Sequence, residues 1–132
     1  MGVVKNSPSL KLADKLMELS DMTLTVTTNF PRQYAHVFRD RIVKLSVDAV
    51  WLVTEANTMR VVDEKSFREC RRYQERTLAS IRMLEMLMQQ AIRLEVVSTS
   101  KMGKWCGLLT EAKRMYYGWV EVYPKLVGTK KN

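Results

Sequence analysis

From Phe38 onward the apolar residues recur at alternating steps of four and three: Phe38, Ile42, Leu45, Ala49, Leu52, Ala56, Met59. At about 3.6 residues per turn, such steps keep every member on one side of a helix, the seam that antiparallel helices bury between them. A strand would need strict alternation, which this stretch lacks. Only five Gly and three Pro interrupt 132 residues, and Pro8, Pro31 and Pro124 lie near the ends of periodic segments, where helices tolerate proline. The chain therefore reads as all-α.

Read this way, the sequence divides into four helices. Ser7-Pro8-Ser9 opens the first, which runs to about Thr28 with Leu10, Ala13, Leu16, Met17 and Leu24 facing one way. Thr23, Thr25, Thr27 and Thr28 weaken its end, because β-branched side chains lose freedom in a helix. Asn29-Phe30-Pro31 is a tight turn that sets Pro near the first position of helix two, which reaches about Met59. Asp63, followed by Glu64, is the N-cap of helix three, which continues to about Glu95 with Phe67, Leu78, Ile81, Leu84, Met88 and Ile92 inward. Ser98-Thr99-Ser100 caps helix four, whose Met102, Trp105, Leu109, Ala112, Tyr116, Trp119 and Tyr123 share a face and which ends near Tyr123-Pro124. The domain plan is a flexible N-terminus over 1–7, an antiparallel up-down bundle over 8–124 and a basic tail over 125–132.

Helices two and three carry more apolar surface than one core uses. Val43, Val47, Val50 and Trp51 lie roughly opposite the helix-two seam, and Met83, Met86, Leu87 and Leu94 lie around the back of helix three. Large exposed apolar patches are uncommon on soluble monomers, so these eight residues are the expected homo-oligomer interface.

With 22 Lys and Arg against 14 acidic residues, the chain carries a net +8, which favours an anionic partner such as nucleic acid. Residues 98–132 hold seven basic residues and two acidic ones. In helix three, Arg71, Arg82 and Arg93 recur every eleven residues and align along one side, while Arg68, Arg72 and Arg76 form a row at its start. With Lys101, Lys104, Lys113 and Arg114 of helix four, they are the candidate nucleic-acid and partner contacts. Interleaved Glu69, Glu75 and Glu85 set the plain alternative of a solvated, salt-bridged surface.

Catalytic and metal chemistry find no foothold. His36 is the one histidine, Cys70 and Cys106 form no CxxC, and no GxSxG elbow, Gly-rich phosphate loop or ExxH element occurs. No catalytic residue, metal ligand, cofactor or small-molecule substrate is assigned, and the two cysteines fit a reduced, cytoplasmic setting. Lys5 to Ser9 is polar where a signal peptide would be apolar, and no run of about 18 apolar residues offers a membrane span. Gly103 and Gly107 give a GxxxG-like spacing, a weak sign of close helix approach in a soluble chain.

The turn Asn29-Phe30-Pro31, the helix containing Arg39-Asp40-Arg41 and Ile42, Glu55-Ala56-Asn57 at its far end and Gly118-Trp119 in the last helix occur in a characteristic order. Over about residues 8–123 the chain resembles the four-helix bundle family of accessory variability determinant (Avd) proteins of diversity-generating retroelements. That family also includes the small proteins encoded in intervening sequences of bacterial large-subunit ribosomal RNA genes. The resemblance implies a non-catalytic, cytoplasmic up-down bundle assembled into a ring, commonly a homopentamer. For the Avd branch it implies binding of a reverse transcriptase and its structured template RNA in support of mutagenic cDNA synthesis. The alternative is a structural or interaction bundle of the intervening-sequence type, without nucleic-acid affinity.

Overall fold

In a computed structural model, which describes residues 7–131 with side chains through Val122, the chain is an antiparallel four-helix bundle. Its helices are α1 (Pro8–Thr27), α2 (Asp40–Asn57), α3 (Glu64–Arg93) and α4 (Thr99–Lys131), and no strand occurs among the described residues. Helices α1 and α3 each pack against α2 and α4, so α1 stands diagonally from α3 and α2 from α4. Ser46 of α2 hydrogen-bonds Ser20 of α1, and Trp105 of α4 reaches Thr23 of α1, so the α1–α2 and α3–α4 connections share one end of the bundle.

The expected seam of α2 is largely the observed one: Phe38, Ile42, Ala49, Leu52 and Ala56 are buried, with Leu45 and Met59 half-buried against them. On α4, Trp105, Leu109, Ala112, Tyr116 and Trp119 are buried as expected; the Tyr123 side chain lies outside the described residues. Helix α1 departs from expectation. Its buried residues include Leu12, Leu16, Leu19 and Val26, whereas Met17 and Leu24 are exposed and Leu10 is half-buried. Leu10, Met17 and Leu24 repeat every seven residues and so form their own stripe, beside the one that meets the core.

The threonines near the end of α1 satisfy buried polar groups. Thr23 is fully buried; its hydroxyl donates to the Leu19 carbonyl at 2.7 Å and accepts the Trp105 indole N–H at 3.0 Å. Thr27 donates to the Thr23 carbonyl at 2.8 Å. Bonds back into the preceding turn offset the weak helix propensity of threonine, and α1 runs to Thr27.

Three boundaries differ from the sequence reading. Ser7 is not part of a flexible terminus: it caps α1, accepting from the Leu10 N–H at 3.2 Å, and it donates to Asn57 Oδ1 at 3.2 Å. Pro31 does not begin the α2 helix directly, because Arg32–Tyr34 forms a 3-10 turn and Ala35–Arg39 a wide π turn before Asp40. That detour stacks Phe38 on Phe30, with ring centroids 5.9 Å apart, and sets Tyr34 edge-on to Phe38. Pro124 does not stop α4, whose backbone stays helical to Lys131, through most of the expected tail. Proline's φ of about −65° suits a helix, and its costs there are the hydrogen bond its nitrogen cannot donate and the crowding of its ring against the carbonyl one turn back.

The remaining ends follow their sequence signals. Asp63 accepts from the Ser66 N–H at 2.8 Å while Ser66 Oγ accepts from the Asp63 N–H at 3.0 Å, a reciprocal cap on α3. At the other end Glu95 adopts φ 59°, its N–H reaching the Ile92 carbonyl and the Val96 N–H the Ala91 carbonyl. This is the left-handed closure usually supplied by glycine.

Candidate nucleic-acid and self-association surfaces

The bonds between helices fix which side each residue occupies. On α3, Tyr73 donates to Glu55 of α2 at 2.8 Å, and Glu85 meets Lys113 of α4 at 3.0 Å, so two different sides of α3, about a third of a turn apart, look toward α2 and α4. Helical spacing then puts Arg71, Arg82 and Arg93 on the α4 side of α3. Consistent with this, Arg71 and Arg82 both act electrostatically on Tyr116 of α4. Arg82 and Arg93 are exposed, and neither has a carboxylate partner among the described residues. Arg71 is half-buried with its guanidinium 5.3 Å from the Phe67 ring centroid.

The other candidate cations do not join this line. Arg72 and Arg76 point toward the α2 side or straight outward, and together with Glu69 and Tyr73 they line a separate groove. Arg76 lies over the Tyr73 ring at 6.0 Å, and Arg68 is exposed on the first turns of α3. Lys104 is exposed and turns toward the α1 side of α4, and Lys101 is half-buried near its start. Two expected contacts are engaged within the chain. Lys113 donates to both oxygens of Glu85, and Arg114 pairs with Glu111, whose carboxyl it holds below the usual range.

Of the eight interface candidates, Val47, Trp51, Met83, Met86 and Leu94 are exposed, while Val43, Val50 and Leu87 are half-buried. They form two surfaces. Because Ser46 faces Ser20 and Asn57 accepts from Ser9 at 2.6 Å, the side of α2 bearing Val43, Val47 and Val50 is the side nearer α1. The stripe Leu10, Met17 and Leu24 lies on the α2 side of α1 by the same contacts, so the two helices share one apolar face. The sequence places that stripe on one face with Ala13 and Leu16; the matching seven-residue repeat of Asp14 and Asp21 alongside marks it instead as a solvent side.

The second surface lies between α2 and α3. A groove of about 330 Å³ is lined by Leu45, Met83, Met86 and Leu87 with Arg41 and the Lys44–Asp48 ion pair, whose atoms are 2.7 Å apart. A neighbouring groove of about 380 Å³ includes Trp51 and Arg76. Trp51 is 66% exposed and Met86 65%, unusual for such large apolar side chains. Gly103 and Gly107 are exposed, and a Cβ added at either would meet nothing within 4 Å among the described residues, so the spacing serves no close helix contact there. His36 is exposed on the π turn.

No group of three or more His, Cys, Asp or Glu able to hold a metal occurs among the described residues, and none of their helices is long and apolar enough to cross a membrane. The fold and surfaces thus define a basic four-helix bundle with two exposed apolar faces. The chain matches no known family model and no characterised relative.

Proposed function

We propose that this protein is a non-catalytic nucleoprotein adaptor of the accessory variability determinant kind. Copies of it assemble into a ring, commonly a pentamer. The ring holds a structured template RNA by its phosphates and presents it to a reverse transcriptase for mutagenic cDNA synthesis in the cytoplasm. The observation that carries the reading is the line of Arg71, Arg82 and Arg93 beside α4, where two exposed arginines have no carboxylate partner among the described residues of a chain of net charge +8. Unpaired guanidiniums lose little on meeting a phosphate, and repetition around a ring would turn a modest patch into a strong one. The two exposed apolar faces support self-association.

The test is a salt titration of binding to a structured RNA, wild type beside Arg82→Ala/Arg93→Ala. Each lost phosphate contact should flatten the log–log slope by about 0.7–0.9 per subunit engaged. Lys113→Ala/Arg114→Ala should do less, since both cations already hold carboxylates. Single-base changes in the RNA should matter little, because phosphate contacts carry no sequence information. Unchanged affinity and slope in the Arg82/Arg93 variant would overturn the arginine line as the RNA site, and a wild type with no salt-dependent RNA binding would overturn the RNA reading and leave the interaction bundle without nucleic-acid affinity. Co-purification with a reverse transcriptase from the same genome tests the second partner.

A further inference from the structure

The two apolar faces carry opposite rims. On the α1–α2 face, the stripe of Met17, Leu24, Val43 and Val47 is bordered by Asp14, Asp21 and Asp40; helical spacing turns Lys11, Lys15, Arg41 and Lys44 away from it and leaves the half-buried Arg39, one turn before Val43, as a cation beside three carboxylates. On the α2–α3 face, Trp51, Met83 and Met86 are bordered by Arg41 and Arg76; Lys44 and Asp48 satisfy each other, Glu55 accepts from Tyr73, and Glu69 lies beyond Arg76 beside Arg72. Both faces are apolar at the centre and charged at the edge, the anatomy of a specific protein contact. Two α1–α2 faces brought together would set three aspartates against three aspartates, and two α2–α3 faces would set arginine against arginine. Unlike faces match in both apolar area and charge.

We infer that the α1–α2 face of one copy docks on the α2–α3 face of the next, a head-to-tail contact in which α2 is shared by both interfaces. This rests on the reading of the chain as a self-assembling adaptor and specifies how the copies meet. Adjacent faces of a four-helix bundle look outward about 90° apart. A head-to-tail contact between them turns each successive copy by about 90°, or by about 72° where the faces open to about 108°, so a contact without rise along the axis closes after about four or five copies instead of growing as a filament. In such a ring α2 faces the axis and α4 the outside.

The experiment uses two variants of the full chain, Val47→Glu on the first face and Met83→Glu on the second. Both positions are about half exposed, so helicity by circular dichroism should be unchanged. Each variant alone should run as a monomer of 15.4 kDa by light scattering. Mixed one to one, they should form a dimer of twice that mass and nothing larger, because each retains the face the other has lost. As a second arm, Asp14→Lys/Asp21→Lys and Arg41→Glu/Arg76→Glu should each weaken wild-type assembly, and all four changes in one chain should restore it. An assembled wild type whose two monomeric variants fail to pair would overturn the head-to-tail contact and leave the adaptor reading standing. One variant keeping its self-association while the other loses it would show a like-to-like contact. A monomeric wild type at high concentration would overturn both the contact and the ring, and RNA binding would still be judged by the salt titration.

Discussion

Replacing Thr23 with valine keeps the shape of a fully buried side chain and removes the acceptor that satisfies the Trp105 indole N–H. A buried donor left without a partner costs about 1–3 kcal/mol. Little offsets that loss, since threonine and valine differ slightly in helix propensity and the Leu19 carbonyl keeps its own helical bond. Urea unfolding followed by circular dichroism should show a stability loss of that size, read as a lower midpoint at unchanged slope. Thermal midpoints should drop by about 3–5 °C per kcal/mol for a chain of this length. All samples are held at one protein concentration, because assembly adds to apparent stability. Thr25→Val is the matched control: Thr25 makes a comparable bond to the Asp21 carbonyl at 3.1 Å but is exposed, so the change should stay within about 0.5 kcal/mol. Thr23→Ser keeps the hydroxyl and should recover much of the loss. If Thr23→Val and Thr25→Val proved equally mild, the indole would have another partner and Thr23 would not be what joins α4 to the end of α1.

Glu95→Gly should raise stability by about 1 kcal/mol, because a residue with a Cβ is strained at φ 59° and glycine is not; no gain in the urea midpoint would refute the left-handed closure of α3. Burial raises the Cys70 thiol from its ordinary 9.0 to about 11, so alkylation at pH 8 should spare Cys70 and reach the half-buried Cys106 first. The folded state holds the Cys70 proton more tightly than the unfolded state, so this contribution is intact below about pH 9 and is lost as pH rises toward 11. A Cys70→Ala variant should lose less stability across that window than wild type.

The bundle was legible because its information is periodic. The α2 seam, the aromatic face of α4 and the Asp63 cap each follow from spacing or from one residue type at a helix start. The α1 core was misread because Leu10, Met17 and Leu24 also repeat at helical spacing; one helix bears two apolar stripes, and periodicity alone does not say which meets the others. The π turn was hidden for a different reason. No residue type dictates it, and it is associated with packing Phe38 against Phe30, a contact between segments. On the surface, the eleven-residue arginine spacing was readable, yet the capture of Lys113 by Glu85, 28 residues earlier, depends on how α3 and α4 dock. Likewise, the eight interface candidates looked like one patch until contacts to α1 and α3 assigned them to different sides of α2.

If copies meet through the two faces that adjoin α2, the α3–α4 side stays uncovered, and the arginine line repeats around the outside of the ring. Assembly and phosphate binding then use separate surfaces of one small bundle, which makes their contributions to RNA affinity separable. A Val47→Glu chain that no longer assembles still carries Arg71, Arg82 and Arg93 unchanged on that side. Three phosphate contacts at about 0.7–0.9 each limit its salt slope to about 2–3, whereas an RNA spanning several wild-type subunits should give a steeper one. Affinity should fall more than the slope alone predicts, since linked subunits bind the second phosphate tract intramolecularly. Equal slopes for Val47→Glu and wild type would mean that RNA engages one subunit at a time and the ring serves another purpose. Complete loss of salt-dependent binding at low ionic strength would mean that phosphates are gripped between subunits, and the α3–α4 arginines would then not be the site.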